Sequence, residues 1–291
     1  MSASTRIKSD TTSTYPDLIV KPDPSLADVN QRARRDRVVQ ILLGFAIPVL
    51  GLIMWEVSAQ LGWIDARFFS KPSAVFSRFL DDMAAGLIAP AAGITIQRLL
   101  SGYVIGSLSG IAVGLAMSQI KLVRWALEPL IRGLYVIPKL ALLPIFLLLF
   151  GLGETPKVVF VSLGTFYIVA FMTMAAAMMI PTAHHEVARS YGLSWSQRFR
   201  WLVVPASMPQ IVASLKLASG ISMLLVIAVE FVQAREGIGY YTWHAWELFI
   251  PDRMYVGIVI ISIIGVLFSL LVGALGGRSV RWAESEYNQS R

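Results

Sequence analysis

The hydrophobic positions of this chain form long windows without charge. A helix needs about 20 apolar residues to cross the roughly 30 Å hydrocarbon core of a bilayer. Four windows of about that length contain no charged residue, and two more contain one lysine each, Lys139 or Lys216. The pattern predicts an all-α integral membrane protein with a membrane domain at 38–277. Its six spans are expected at about 38–58, 97–118, 133–153, 157–181, 205–232 and 254–277.

Positive charge concentrates on one predicted side of this membrane domain. Most of the 25 Lys and Arg residues fall in four polar segments, 1–37, 118–132, 182–201 and 278–291. Cytoplasmic segments of membrane proteins are enriched in Lys and Arg, so we expect both termini in the cytoplasm. Residues 1–37 are polar and end in a basic run, which predicts a disordered cytoplasmic tail. Residues 278–291 are expected to form a second cytoplasmic tail.

The composition is typical of a membrane protein and indicates neither a nucleic-acid partner nor a metal site. The 291 residues are 56% hydrophobic and 15% charged, against roughly 45–50% and about 25% in soluble domains. The net charge of +7 is explained by the cytoplasmic segments, so it does not indicate a nucleic-acid partner. Tryptophans near the predicted span ends suit contact with membrane lipids. The chain has no cysteine, and the adjacent His184 and His185 would diverge on a helix, so no metal site is predicted.

Four glycines repeat at intervals of four residues in the second window. A stripe of small residues on one helix face lets another helix approach closely in a membrane. We therefore predict that this face packs against a neighbouring helix, with contact to lipid or substrate as the alternative. The residues are Gly102, Gly106, Gly110 and Gly114.

Prolines inside the third window indicate a candidate translocation pathway. Pro138 and Pro144 each remove a backbone donor and bend a helix. Irregular backbone at membrane depth is tolerated only beside protein or a water-filled cavity. Lys139 lies in the same segment, where it either attracts an anion or extends its ammonium group to the membrane surface. We assign these three residues to the pathway as a hypothesis.

The end of the fifth window provides three more candidates for that pathway. Glu230 is an acidic residue near the outer end of an apolar region, so it either takes part in a gate or a buried pair, or simply reaches the membrane interface. The segment that follows is too short to cross a membrane and too apolar for an ordinary loop. It contains Gly237 and Gly239, and we expect it to be partly re-entrant at the outer mouth of the pathway.

The loop at 182–205 predicts two short helices joined at a glycine. Thr182 is a candidate cap for the first helix, which Gly192 would end. Ser194 and Gln197 have the spacing of a capping box, which predicts a second helix that runs to Pro205. Such a compact, arginine-rich projection on the cytoplasmic side suits the groove of a partner protein.

This loop resembles the EAA loop of bacterial ABC importer permeases. The family pattern is E-A-A, three residues, G, nine residues, then I-x-L-P. Here Glu186-Val-Ala is followed by Gly192 and, after nine residues, by Leu202-Val-Val-Pro205. The three departures, at positions 187, 202 and 204, are all apolar replacements. Four further runs are similar to the branch that handles nitrate, sulfonates, taurine, bicarbonate and hydroxymethylpyrimidine-type precursors: 69–73, 137–144, 150–154, and Glu230 with 237–240.

The resemblance implies a type I importer permease in the bacterial inner membrane. It implies a second copy of the permease, two ABC ATPase subunits that bind ATP and Mg²⁺, and a periplasmic or lipid-anchored substrate-binding protein. The loop 182–205 would contact the ATPase. The residues that match or flank the motif are Glu186, Val187, Ala188, Arg189, Gly192, Leu202 and Pro205.

The implied cargo is a small anion, such as an aliphatic sulfonate, taurine or a nitrate-like ion. A pyrimidine-type vitamin precursor or bicarbonate is the alternative within the same class. The chain contains no G-x-x-x-x-G-K-[ST] run, so it is expected to be a transport subunit rather than an enzyme. A secondary transporter is the rival class, but it would usually need midplane carboxylates or inverted repeats, which the sequence does not show.

Overall fold

The computed structural model describes residues 24–280, in which every regular element is a helix. The predicted tails at 1–23 and 281–291 lie outside the described residues. The α-helices are α1 (Pro24–Gln60), α2 (Ala66–Phe69), α3 (Pro72–Ala84), α4 (Ile88–Gln119), α5 (Lys121–Val136), α6 (Leu143–Phe150), α7 (Glu154–Met178), α8 (Thr182–Ser190), α9 (Trp195–Arg198), α10 (Val204–Gln233), α11 (Ile238–Glu247) and α12 (Pro251–Ser279).

The first helix begins earlier than the sequence pattern predicts. Residues 24–37 were expected to belong to the disordered tail, but they form the first turns of α1. Proline is favourable at the first helical position, and the Ala, Arg, Leu and Gln residues that follow are good helix formers. The chain divides into two compact units, Met1–Ser58 and Ala59–Arg291. The first contains most of α1, and the second contains all the other helices.

The predicted third span is broken in the middle. Five described helices are long and apolar enough to cross a membrane, or six if Lys121–Leu134 and Lys139–Phe150 form one bent span. These two segments meet at 102°. Ile137 has an extended backbone with ψ of 129°, as a residue before proline prefers, and α5 ends there. A single 3₁₀ turn at Lys139–Leu142 then leads into α6, so the backbone is irregular at the prolines as predicted, while the bounds 133–153 of the third span stay a prediction.

The glycine stripe of α4 faces α7. A Cβ atom built on Gly102 would lie 2.6 Å from the Cβ of Val161, and one on Gly110 would lie 2.8 Å from the carbonyl oxygen of Phe166. Gly106 and Gly114 are equally close to the α7 backbone, at the carbonyl oxygens of residues 162 and 170. Because only glycine leaves room for this approach, the two helices pack backbone to backbone over about four turns.

Helix α7 contacts α10 on another face and lies at the centre of the second unit. Thr165 and Ser222 pair their hydroxyl groups at 2.7 Å, and both side chains are fully buried. The side chain of Leu225 packs directly over Gly164. The main hydrophobic core includes side chains of α4, α7 and α10, among them Leu99, Val169 and Val226. These three helices therefore form the framework that positions the loop 182–205.

We predict that Gly106→Ala destabilises the protein because the added methyl group meets the α7 backbone. Overpacking of this kind typically costs about 1–3 kcal/mol. Thermal unfolding in detergent should show a lowered midpoint. Gly93→Ala is the matched control in the same helix, since nothing lies within 4 Å of a Cβ atom at that position. Equal midpoints for the two variants would contradict the assigned packing.

Candidate functional site

The first half of the loop 182–205 is a two-turn helix closed by a glycine. Helix α8 begins at Thr182 itself, so the predicted cap at that residue is wrong. The backbone N–H of Gly192 donates to the carbonyl of Arg189 at 2.8 Å, and that of Leu193 donates to the carbonyl of Ala188 at 3.1 Å. Gly192 has φ of +69°, a conformation that glycine adopts without strain.

The second half of the loop begins with the predicted capping box, which the structure confirms. The Ser194 hydroxyl accepts from the backbone N–H of Gln197, and the Gln197 side chain accepts from the backbone N–H of Ser194. The helix does not end at Pro205 as predicted. A π-helical turn at Phe199–Val203 joins α9 to α10, so residues Trp195–Gln233 form one 39-residue helical segment.

The π-helical turn explains how Pro205 fits near the start of α10. Proline lacks a backbone donor and its ring collides with the carbonyl group four residues earlier in a regular α-helix. Here the backbone N–H of Val204 donates to the carbonyl of Phe199, five residues earlier, so the helix is locally wider. The prediction that a helix ends at Pro205 did not consider a π-helical turn, which keeps the helix continuous.

The loop presents apolar side chains around a shallow hollow. Tyr191 is 82% exposed, Trp201 is 74% exposed, and Val187 is also exposed. Together with Leu202 they line a hollow of about 570 Å³. Exposed apolar side chains clustered in this way are typical of a protein contact surface. Of the other motif residues, Glu186, Arg189 and Gly192 are exposed, Ala188 is buried and Pro205 is half-buried.

A buried charge network occupies the opposite end of α10. The Arg98 side chain is 2% exposed and that of Glu230 is 0% exposed, with 2.7 Å between Nη1 and Oε1. The same guanidinium donates to both carboxylate oxygens of Glu154 at 2.6 and 2.7 Å. Nη1 also donates to the backbone carbonyl of Glu236 at 2.7 Å. Lys157 adds a further bond to Glu154 at 2.7 Å.

The two glycines of the predicted re-entrant segment make room for the Glu230 carboxylate. A Cβ atom on Gly237, which has φ of +110°, would lie 2.7 Å from Oε2, and one on Gly239 would lie 2.8 Å from it. The Gly239 N–H donates to Oε2 at 2.8 Å. The Thr95 hydroxyl lies 2.9 and 3.0 Å from the two carboxylate oxygens and accepts from the Ile238 N–H.

These contacts match the buried-pair alternative for Glu230 rather than the gate. Glu230, Gly237 and Gly239 are all buried, so within this chain none of them lines an open pathway. The segment predicted as re-entrant is the short helix α11. The assignment of these three residues to the pathway stays a prediction, and within this chain their surroundings are hydrogen-bonding groups of the same subunit.

A second ion pair connects α3 with the start of α12. Arg253 donates to both oxygens of the nearly buried Asp82 at 2.8 Å each, and the Tyr241 hydroxyl donates to the same carboxylate at 2.6 Å. Burial alone would raise the pKa of Asp82, but these hydrogen bonds outweigh it and hold the pKa below its usual value. Burial and the neighbouring carboxylate raise the pKa of Tyr241.

Neither set of partners was identified from the sequence. Arg98 lies 132 positions from Glu230, and Asp82 lies 171 positions from Arg253. The position of Glu230 in an apolar region allowed a buried pair, but Arg98, Asp82 and Arg253 by themselves resemble ordinary loop or helix-end residues. The single hint was that the runs around Glu154 and Glu230 both resemble the same permease branch.

The remaining pathway candidates lie at the break between α5 and α6. Pro138 and Pro144 are exposed, and Lys139 is half-buried with its ammonium group 4.5 Å from the centre of the Tyr167 ring. Tyr167 lines a cavity of about 580 Å³ between α5, α7 and α10. The assignment of these three residues to a pathway stays a prediction. Among the described residues, no group of three or more acidic, His or Cys side chains is arranged to hold a metal ion.

We predict that Arg98→Gln strongly destabilises the protein because it leaves Glu230 buried without a countercharge. Breaking a buried pair on one side costs about 3–5 kcal/mol. Arg67→Gln is the matched control, since Arg67 is 86% exposed in its pair with Asp65 and such pairs contribute about 0–1 kcal/mol. Denaturant unfolding in detergent distinguishes the two. Similar losses for both variants would contradict the structural role of Arg98, and adding Glu230→Gln to Arg98→Gln should recover part of the loss.

Comparison with known proteins agrees with the predicted family. Residues 102–282 match the family described as binding-protein-dependent transport system inner membrane component. A protein named as the aliphatic sulfonates transport permease SsuC of Escherichia coli is 31% identical over 81% of this chain and 90% of its own length. The taurine transport system permease TauC of the same organism is 29% identical over 84% of this chain and 90% of its own. The nitrate import permease NrtB of Leptolyngbya laminosa is 30% identical over 64% of this chain and 67% of its own length.

Solved structures support the same architecture. A chain of an inward-facing MetNI methionine ABC transporter superposes on 68% of this chain over 98% of its own length. The TM-score is 0.59 and the sequence identity is 17%. A bacterial ABC transporter involved in the import of the acidic polysaccharide alginate superposes on 88% of this chain over 99% of its own chain. The TM-score is 0.58 and the sequence identity is 14%. At these identities the likeness concerns the fold alone. Taken with the family match, it shows that the chain belongs to the binding-protein-dependent inner membrane components, as a permease subunit of an ABC importer rather than an enzyme.

Proposed function

We propose that two copies of this chain form the translocation pathway for a small anion, such as an aliphatic sulfonate, taurine or a nitrate-like ion, with both termini in the cytoplasm. The observation that carries this proposal is the loop 182–205, whose exposed apolar hollow suits a partner protein and whose motif matches the ATPase-contacting loop of the family. The concentration of Lys and Arg in the terminal and loop segments supports the orientation. In this orientation the loop faces the cytoplasm and the Arg98 network faces the periplasm.

The proposed partners are two ATPase subunits and a periplasmic or lipid-anchored binding protein. ATP and Mg²⁺ would bind to the ATPase chains, and closure of the ATPase dimer would move α8. Because α9 continues through the π-helical turn into α10, a displacement at Trp195 is transmitted along one helical segment towards Glu230. The Arg98 network at that end connects α10 to α4, α7 and α11, so these helices would move together.

The proposed substrate class rests on the names of relatives and on the charge of one cavity. SsuC, TauC and NrtB are named for aliphatic sulfonates, taurine and nitrate. In this chain Arg132 and the Lys139-bearing segment lie beside the cavity at Tyr167. Positive charge next to a cavity favours an anion over a neutral vitamin precursor.

We predict that Gly192→Asp abolishes uptake while the chain remains in the membrane. A charged side chain at this position would strain the left-handed turn and add a carboxylate to the surface that contacts the ATPase. Uptake of the substrate into cells that contain the full transporter, together with co-purification of the ATPase, measures the effect.

The control for this variant is Gly86→Asp. Gly86 has φ of +71° and nothing lies within 4 Å of a Cβ atom there, as is also true of Gly192. Both substitutions therefore introduce the same backbone strain, but Gly86 lies in the connection between α3 and α4. We expect Gly86→Asp to keep most uptake. Retention of uptake and of the ATPase by Gly192→Asp would show that the loop does not couple the two subunits.

A further inference from the structure

Helix α3 contacts the rest of the protein through one of its faces. Val75 and Phe79 pack against the apolar cluster that contains Val256 of α12. Asp82, which is 2% exposed, lies on the same side of the helix. At about 100° per residue, positions 75, 79 and 82 fall within about 60° of one another around the helix. This face is therefore covered by the fold itself.

The surface beside that face is apolar but exposed. Phe76, Leu80 and Met83 are 64%, 51% and 48% exposed, and they too fall within about 60° of one another. We call these three residues the α3 apolar stripe. Further around the helix, Ser77 and Asp81 are polar and exposed. Helix α3 thus has one face that packs on protein, a second that is apolar and uncovered, and a third that is polar.

Two contacts with α12 determine how α3 lies on the protein. The Ser70 hydroxyl, just before α3, donates to the carboxylate of Asp252, and Arg253 donates to both oxygens of Asp82 at 2.8 Å each. Asp252 and Arg253 are neighbours in the first turn of α12. The 13 residues of α3 cover about 20 Å. Because both ends of this length attach to a single turn, α3 crosses the end of α12 rather than running along it.

The first turn of α12 marks a boundary of the membrane. Helix α12 is long and apolar enough to cross a bilayer. After Arg253 its sequence contains no charged residue until Arg278, so the hydrocarbon layer begins just beyond Arg253. Since α3 crosses α12 at this level, it lies where lipid head groups are expected. An amphipathic helix in that plane buries its apolar side in the boundary between head groups and acyl chains.

A lipid surface suits the α3 apolar stripe better than a protein partner does. A stable protein interface buries roughly 800 Å² on each partner, which is far more than three partly exposed side chains offer. A lipid surface requires only a narrow apolar stripe with polar residues on the side towards water, and Ser77 and Asp81 supply these. The order around α3 is protein, apolar and polar, as expected for a helix at the edge of a membrane domain.

We propose that α3 is an interfacial helix whose apolar stripe inserts into the outer leaflet, with the phospholipid surface as its partner. The inference rests on the proposed function only for the choice of the outer leaflet, which follows from the proposed orientation. Through the bonds of Ser70 and Asp82 to α12, the inserted helix holds the outer end of α12 at the level of the lipid head groups.

The sequence contains no cysteine, so single spin labels can be placed on α3. The variants Phe76→Cys, Leu80→Cys and Met83→Cys label the stripe, and Ser77→Cys and Asp81→Cys are the matched controls on the polar face. Each permease is assembled with a cysteine-free ATPase in nanodiscs of phosphatidylcholine and phosphatidylglycerol, without binding protein. Paramagnetic resonance then measures collisions of the label with oxygen, which concentrates in lipid, and with nickel ethylenediaminediacetate, which stays in water.

Labels on the stripe should collide more with oxygen than with nickel and should lie about 5–10 Å below the lipid phosphates. Labels at positions 77 and 81 should show the opposite preference. Ile263→Cys is the depth reference, because Ile263 is 52% exposed and lies about 15 Å further along α12 than Arg253. Its label should lie deeper than the stripe. Co-purification of the ATPase shows that each variant assembles, and any two stripe positions are sufficient for the comparison.

Two results would overturn the proposal. Stripe labels that meet nickel as often as those at 77 and 81 would show that the stripe faces water. Stripe labels that meet neither reagent would show that protein, such as a second copy of the chain, covers it. The side of the membrane is tested separately, by labelling Asp81→Cys in intact spheroplasts with an impermeant maleimide. Failure of that labelling would contradict the proposed orientation of the permease, whereas the depth measurement would stand.

Discussion

The guanidinium of Arg98 connects four helices that are distant in the sequence. It bonds to Glu154 at the start of α7, to Glu230 near the end of α10 and to the backbone just before α11, while it belongs to α4 itself. A buried charge is tolerated only when it is paired with an opposite charge and its remaining hydrogen-bonding groups have partners. Thr95 and the Gly239 N–H supply the remaining bonds to Glu230, so the relative positions of these helices depend on the complete set of bonds.

Helix α7 carries two different kinds of contact on different faces. Towards α4 it meets glycines, which allow backbone contact and leave little freedom for the two helices to separate. Towards α5 it presents the rings of Tyr167 and Phe171, beside which cations and a cavity are found. The two faces of α7 therefore differ: one is in backbone contact with α4, and the other borders a cavity.

Helix α10 joins the loop that carries the family motif to the buried charge network. The π-helical turn at Phe199–Val203 keeps this connection helical despite Pro205. A break at that proline would have separated the loop from the membrane domain. Because the segment from Trp195 to Gln233 is continuous, the exposed loop at one end and the Glu230 pair at the other belong to one helical segment.

Local sequence patterns were sufficient for the helical class, for five of the apolar spanning helices and for the capping box at Ser194. These features depend on neighbouring residues, because hydropathy, capping and turn formation act over a few positions. The partners of Glu230 and Asp82, the 102° angle between the segments on either side of Pro138 and the continuity through Pro205 required the folded chain. They depend on which distant groups meet in a medium that excludes water, where each buried charge must find its partner in the same protein.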